Sequence, residues 1–305
     1  MGWSQNGETF YTVEFGLYNI SLYAITRQKV ERITVLPLAN IAFSPDRQQI
    51  AFVELNNSTK QGAEKVWASV STLDLVSRQI RQVITISDPE GAFVERCISR
   101  LFWSPNSNQI GLIISDWRVA ANIQNVLHLY NESDGSLIEA ISIPLGEFDA
   151  LFAPQWSSDG AYIAFILKSE RKAEATKSPM GNLSTISTLY LLDIAQRQIT
   201  LLATQVESPN WLPRSHSIAF VKSGFEIVIM DVSSKEIFNY LLDKPISTLV
   251  WSPDGKQIAY LTIGDSGIPQ NLVILNIATG DKLSFSSSLA MLHPVALLWG
   301  PRCSI

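Results

Sequence analysis

The residue types that could do chemistry are few and scattered. Gly264-Asp265-Ser266-Gly267 has the makings of a turn that exposes a serine, but a nucleophilic serine needs a histidine and a carboxylate beside it. The three histidines, His128, His216 and His293, stand in unrelated surroundings, so the segment reads as a loop of turn-forming residues. No G-x-S-x-G pentapeptide, Gly-rich phosphate loop or close histidine pair occurs in the chain. Cys97 and Cys303 lie far apart with no metal-type spacing, which points away from a zinc site or a disulfide framework. Lys and Arg number 23 against 28 Asp and Glu; the net charge of −5 carries no basic block that would neutralise phosphates. The expectation is no catalytic set, no resident metal, no cofactor and no nucleic-acid partner.

The carboxylates that do recur, Asp46, Asp159 and Asp254, recur because the sequence repeats. Aligned on an aromatic anchor, the units read WSQNGETFYT from Trp3, FSPDRQQIAF from Phe43, WSPNSNQIGL from Trp103, WSSDGAYIAF from Trp156, WLPRSHSIAF from Trp211 and WSPDGKQIAY from Trp251. Seven positions after each anchor stand Phe10, Ile50, Ile110, Ile163, Ile218 and Ile258. Ser-Pro-Asp-Gly is turn chemistry: Pro presets φ, Asp accepts from nearby amides and Gly tolerates positive φ. The aspartates are therefore turn residues rather than acid catalysts, and the Trp anchors are packing residues.

Each unit opens on an apolar run into its anchor (strand a) and reverses at the turn into strand b. Two further β-rich runs, c and d, recur at 22–35, 71–86, 127–143, 189–202, 227–241 and 272–285. Four antiparallel strands six times over imply an all-β, six-bladed propeller, because single units of this kind cannot bury both faces alone. The expected single domain, 1–305, divides into blades at 294–301 plus 8–36, 39–86, 98–144, 151–204, 207–243 and 246–288. The first unit lacks a run before Trp3, and Val295–Trp299 is a run with no strand b after it. The C-terminal strand is thus expected to complete the N-terminal blade, leaving residues 1–7 as a displaced turn.

The W-S-P-D-G-x-x-I-A-F core at 251–260, 43–52 and 156–165 resembles the repeat of TolB-type, WD-like propellers, and the resemblance covers almost the entire chain. The same repeat occurs in the propellers of prolyl-oligopeptidase-like enzymes, so it speaks for fold and not for activity. Arg47 and Ser107 replace the turn Gly, and unit five reads Leu-Pro-Arg-Ser at 212–215.

In such a blade the a–b and c–d turns share one end and the b–c and d–a connections the other. The b–c connections vary (56–65, 115–125, 168–187, 264–271, with almost nothing at 222–226), and the longest d–a connection is 87–98. Insertions gathered at one end mark it as the binding side. Trp67, Phe93, Trp117, Lys168, Arg171 and Lys172 are the candidate partner-binding residues there, with 168–187 read as a lid or tether. Asn40, Arg100, Glu207, Ser208, Asn210 and Thr248, in the four positions before an anchor, are the candidate lining of a central channel, where a metal would want more carboxylates than Glu207 alone.

The functional expectation is a non-enzymatic, monomeric scaffold holding a protein or peptide partner at the long-loop end or channel mouth. Its TolB-type resemblance implies envelope or transport assemblies. The alternatives are a propeller enzyme with a channel active site, or the accessory propeller of a longer peptidase-like or envelope protein. Residues 1–28 carry no secretory pattern, and Leu289–Trp299 is too short to span a membrane. The chain as it stands reads as cytoplasmic, with a periplasmic place open if a segment precedes the interrupted first unit.

Overall fold

The computed structural model describes residues 2–3, 9–15, 19–26, 28–37, 40–55, 66–87, 96–116, 124–143, 149–172, 183–264 and 269–286. Among them every regular element is a strand. The first sheet holds β1 (Gly2–Trp3), β2 (Phe10–Phe15), β3 (Asn19–Ile25) and β4 (Val30–Pro37); the second β5 (Ile41–Phe43), β6 (Gln49–Leu55), β7 (Val66–Asp74) and β8 (Ile80–Ser87). The third holds β9 (Arg96–Trp103), β10 (Gln109–Asp116), β11 (Gln124–Asn131) and β12 (Leu137–Ile143); the fourth β13 (Asp149–Trp156), β14 (Tyr162–Lys172), β15 (Leu183–Asp193) and β16 (Gln198–Thr204). The fifth holds β17 (Val206–Trp211), β18 (Ser217–Lys222), β19 (Glu226–Asp231) and β20 (Ile237–Leu241), and the sixth β21 (Ile246–Trp251), β22 (Gln257–Ile263), β23 (Pro269–Asn276) and β24 (Lys282–Ser286). Each is an antiparallel meander of four consecutive strands, consistent with a six-bladed propeller. The chain forms two compact units, Met1–Glu147 with Gly300–Ile305, and Phe148–Trp299.

The seven-residue spacing has a direct cause. Anchor and partner face each other across the a–b pair in all six sheets: Trp3↔Phe10, Phe43↔Ile50, Trp103↔Ile110, Trp156↔Ile163, Trp211↔Ile218 and Trp251↔Ile258. The departures at Arg47, Ser107 and 212–215 leave that register intact. Middle strands are apolar on both faces: β18 and β19 each bury four residues in succession, because a neighbouring sheet covers each side.

In the first unit, Ile50, Phe52 and Leu73 pack with Tyr11 and Leu22, while Ala51, Val53 and Val70 pack with Trp103, Ile110 and Leu112. In the second, Phe220, Val228 and Met230 face Ala164, Leu189 and Leu191, while Ile227 and Ile229 face Trp251, Ile258 and Tyr260. Trp103, Trp211 and Trp251 each donate the indole N–H to a carbonyl of the preceding sheet's first strand: Ala42 at 3.0 Å, Gln155 at 3.1 Å and Asn210 at 3.1 Å. The anchors thus join packing to a buried hydrogen bond, as expected of structural tryptophans.

Two expectations need correction. Residues 2–3 are not a displaced turn; they pair with Tyr11 and Phe10 as the first strand of the first sheet, because two extended residues suffice to satisfy the β2 edge there. The insertion at 168–187 is not a loose tether throughout. β14 and β15 continue in unbroken register to Lys172↔Leu183, making a long hairpin arm. The closing strand at 294–301 lies outside the described residues.

Candidate functional site

At one end of the sheets the turns engage their own polar side chains. In the a–b turns Ser44, Ser104, Ser157 and Ser252 are buried. Their hydroxyls donate to Asp46, Asn106, Asp159 and Asp254, and accept from the amides of Gln49, Gln109, Tyr162 and Gln257 at 2.9 Å. Asp46, Asp159 and Asp254 also accept from the amides of Gln48, Ala161 and Lys256, the turn role expected of them.

The c–d turns repeat a second device. Strand c ends on Asp74, Asn131, Asp193, Asp231 or Asn276, whose side chain accepts from turn amides. The residue four places on, Arg78, Gly135, Arg197, Lys235 or Gly280, takes positive φ. The two turns are then tied together: Leu75, Glu132, Ile194, Val232 and Ile277 donate their amides to Gln48, Asn108, Ala161, His216 and Lys256.

One pair at this end resembles catalytic machinery. His216 Nδ1 stands 3.1 Å from Asp159 Oδ2, both partly exposed. Burial pushes the Asp159 carboxyl up, but the Ser157 hydroxyl, the Ala161 amide and His216 outweigh it and hold it below its ordinary range. The neighbouring hydroxyls are directed elsewhere, Ser158 to Leu212 O, Ser215 to Ser217 and Ser217 to Asp231. The pair therefore fastens two turns. His128 Nδ1 lies 3.2 Å from the Tyr130 hydroxyl with stacked rings, a packing contact. Among the described residues no group of three or more His, Cys, Asp or Glu could hold a metal ion. Asp265 and Ser266 lie outside the described residues.

The first strands carry the residues expected to line a channel. Arg100, Glu207, Ser208, Asn210 and Thr248 sit on β9, β17 and β21, and Asn40 immediately precedes β5. Register slips there: β9 between the partners Ile113 and Ile114, β13 between Phe152 and Gln155, β17 between Glu207 and Asn210, and β21 between Ile246 and Thr248. Ala153 and Ser208 take positive φ within these bulges, and bulges with strained φ are common where a strand re-aims side chains toward a site. Asn40 is partly committed, since its Nδ2 donates to Ile98 O at 2.6 Å, and Asn210 O receives the Trp251 indole. Glu207 is exposed.

The other end holds the expected partner-binding residues. Trp67 lies on β7, and Lys168, Arg171 and Lys172 on the arm strand β14; Phe93 and Trp117 lie outside the described residues. Lys168 Nζ stands 5.1 Å from the centre of the Phe152 ring, which holds its charge against β13. A cleft of about 210 Å³ opens beside Asp243, Lys244, Tyr260, Asn271 and Lys282. Burial, then Asp243, pushes the Tyr260 hydroxyl up. The cleft is small beside ligand pockets of about 300–1,000 Å³ and mixes both charge signs, so it suits a polar end group. Neither the cleft nor the c–d device figured in the sequence reading. The second was findable, as Asp or Asn at the close of each strand c.

No family model matches the chain, so the TolB-type likeness rests on the repeat residues alone. A probable dipeptidyl peptidase 4 of Trichophyton verrucosum is 25% identical over 201 residues, 57% of this chain and 25% of that protein. Dipeptidyl peptidase 4 of Trichophyton tonsurans matches likewise, at 25% identity over 57% of this chain and 24% of its own length. The match thus spans about a quarter of the curated relatives. Among solved structures, oligogalacturonate lyase of Vibrio parahaemolyticus superposes with a TM-score of 0.65 at 14% identity, over 93% of this chain and 76% of that one. The β-propeller domain of the trilobed protease of Pyrococcus furiosus, described as having an open velcro topology, gives 0.56 at 13%, over 92% and 80%. These likenesses establish a propeller fold.

Proposed function

We propose that residues 1–305 are one propeller domain of the peptidase-associated kind, which admits or positions peptide at the end where the first strands begin and the b–c connections emerge. The observation that carries this is the 201-residue match to dipeptidyl peptidase 4, within a fold of six four-stranded sheets. Asn40, Arg100, Glu207, Ser208, Asn210 and Thr248 would line the path, the bulges of the first strands setting their direction. Trp67, Phe93, Trp117, Lys168, Arg171 and Lys172 would flank its mouth. The reading is favoured over a free-standing scaffold because the curated relatives matched are peptidases.

The bond-breaking residues in this reading belong to a hydrolase region outside the repeat or to an associated chain, since no G-x-S-x-G segment lies within these 305 residues. Ring closure by 294–301 is part of the same proposal. In the described pairings β1 covers only Phe10 and Tyr11 of β2, leaving the rest of that edge for a second strand. The test is capture of the native protein from its own cells with an antibody against this region, followed by labelling with a fluorophosphonate. A labelled serine hydrolase in the capture, protected by excess peptide substrate, is the expected result. A capture without labelled hydrolase overturns the reading.

A further inference from the structure

Six strands form the outer edges of the six sheets, and they are not equally protected. β4, β8, β12 and β24 each carry at least one charged residue, the usual guard against edge-to-edge pairing. β16 and β20 carry none. β20, Ile-Phe-Asn-Tyr-Leu, also exposes three large apolar side chains, Ile237 at 52%, Phe238 at 59% and Leu241 at 78%, whereas β16 exposes only Leu201 in this way. Among the described residues β20 pairs with β19 alone.

The hydrogen-bond parity of that edge follows from its two ends. Glu236 O accepts from Asp231, and Leu242 N donates to Phe225. Even-numbered residues of β20 therefore bond inward to β19, and the amides and carbonyls of Ile237, Asn239 and Leu241 point away from the sheet. Charges stand only at the margins, Lys235 and Glu236 before the strand, Asp243 and Lys244 after it.

We propose that β20 is a self-association edge, pairing antiparallel with β20 of a second copy of this chain about a two-fold axis at Asn239. Such an axis needs a residue opposite its own copy, and centring on Asn239 uses all three outward-pointing residues, about six backbone bonds. It sets Ile237 against Leu241 of the second copy on one face and Phe238 against Tyr240 on the other, both apolar cross-strand pairs. At each margin it brings Lys235 level with Asp243 of the second copy, a complementarity lost on slipping by one residue, which sets Lys235 against Lys244 in one direction and against uncharged Leu242 in the other. The inference departs from the expected monomer and rests on this edge, independently of the peptidase reading.

Sedimentation of the full chain across a range of concentrations tests it. The wild type should pass from one chain of 33.8 kDa to twice that mass. Asn239→Pro should stay at one chain with unchanged melting, since the deleted amide does not serve β19 and proline is tolerated on an edge. Lys235→Asp should weaken association about tenfold, and Lys235→Asp with Asp243→Lys should restore it. A wild type that remains a single chain, or a dimer indifferent to Asn239→Pro, overturns the proposal. If the proline variant loses its β-sheet spectrum, the charge pair decides: loss without restoration, or no loss, overturns it equally.

Discussion

The two ends of the sheets differ in how far they are allowed to vary. At the turn end, five sheets close their c–d turns with the same Asp or Asn, the same left-handed residue four places later and the same amide tie to the a–b turn. At the opposite end the fifth sheet turns over Ser223-Gly224-Phe225, while the fourth runs its hairpin out to Lys172 and Leu183. Polar groups locked into closing a turn cannot also bind a ligand without leaving buried amides unpaired, at a cost of about 1–3 kcal/mol each. The uniform end therefore maintains the fold, while the connections of the other end differ from sheet to sheet.

The largest test of that division is at an anchor. Trp251 is 6% exposed and donates to Asn210 O, so Trp251→Ala should cost about 3–5 kcal/mol in urea unfolding. Trp156 is only half-buried and donates to Gly160 O within its own turn, so Trp156→Ala should cost clearly less. Equal losses would mean that the indole bond to the preceding sheet contributes nothing. Next comes the turn itself. Ser252→Ala removes a buried hydroxyl that accepts from the Gln257 amide and donates to the exposed Asp254 carboxylate, and should lower stability by about 1–3 kcal/mol. Ser157→Ala should match it, because the same bonds recur; a twofold disagreement would break the equivalence of the turns.

The architecture was legible because its signal is a cross-strand contact written at fixed spacing. An anchor and the residue seven places on must face each other, and in all six described sheets they do. The left-handed turn positions were harder to see, since Arg78, Arg197 and Lys235 stand where glycine would be expected. The strand character of the arm was hidden for another reason. Lys168–Lys172 against Leu183–Ser187 is polar and charged, and a ladder that continues an established hairpin needs no alternating apolar face to hold its register. Most elusive were the bulges at Ser208 and Ala153. An extra residue in one strand exists only relative to its partner, so the order of residues in strand a does not reveal it.

Acid should act first on the uniform end. Turn amides hold Asp74 and Asp231 below the ordinary range, chiefly those of Ser77 and Ser234, and the Ser136 hydroxyl does the same for Asp134. Glu31, bonded first to Arg78 of a c–d turn and then to Lys29, falls to about 2. Each folded value lies below the ordinary 3.8 of Asp or 4.5 of Glu, so between those values the unfolded chain binds more protons. The stabilisation is present above about pH 4.5 and is lost as pH falls toward 2. Melting should be flat from about pH 7 to 5 and then decline, and Glu31→Gln should make the decline shallower across the window from about pH 4.5 to about 2. Because Glu31 is partly exposed and salt-screened, its share should shrink further in 0.5 M salt on the order given by a Debye length of about 4 Å.

The smallest effect belongs to the variable end. Replacing 169–186 by a short Gly-containing turn between Lys168 and Ser187 removes the outer part of the arm and leaves intact the pairs from Tyr162↔Asp193 through Lys168↔Ser187. Scanning calorimetry should find the melting temperature within about 2 °C of the parent, the change expected for less than about 1 kcal/mol in a chain of this size. A drop as large as that of Ser252→Ala would assign the arm to the fold, and the division between a uniform end that maintains the fold and a dispensable variable end would fail at its most divergent sheet. No drop, with peptide protection of the captured hydrolase abolished, would instead make the arm part of the path that peptide takes, since only a segment dispensable for folding is free to be shaped by what it binds.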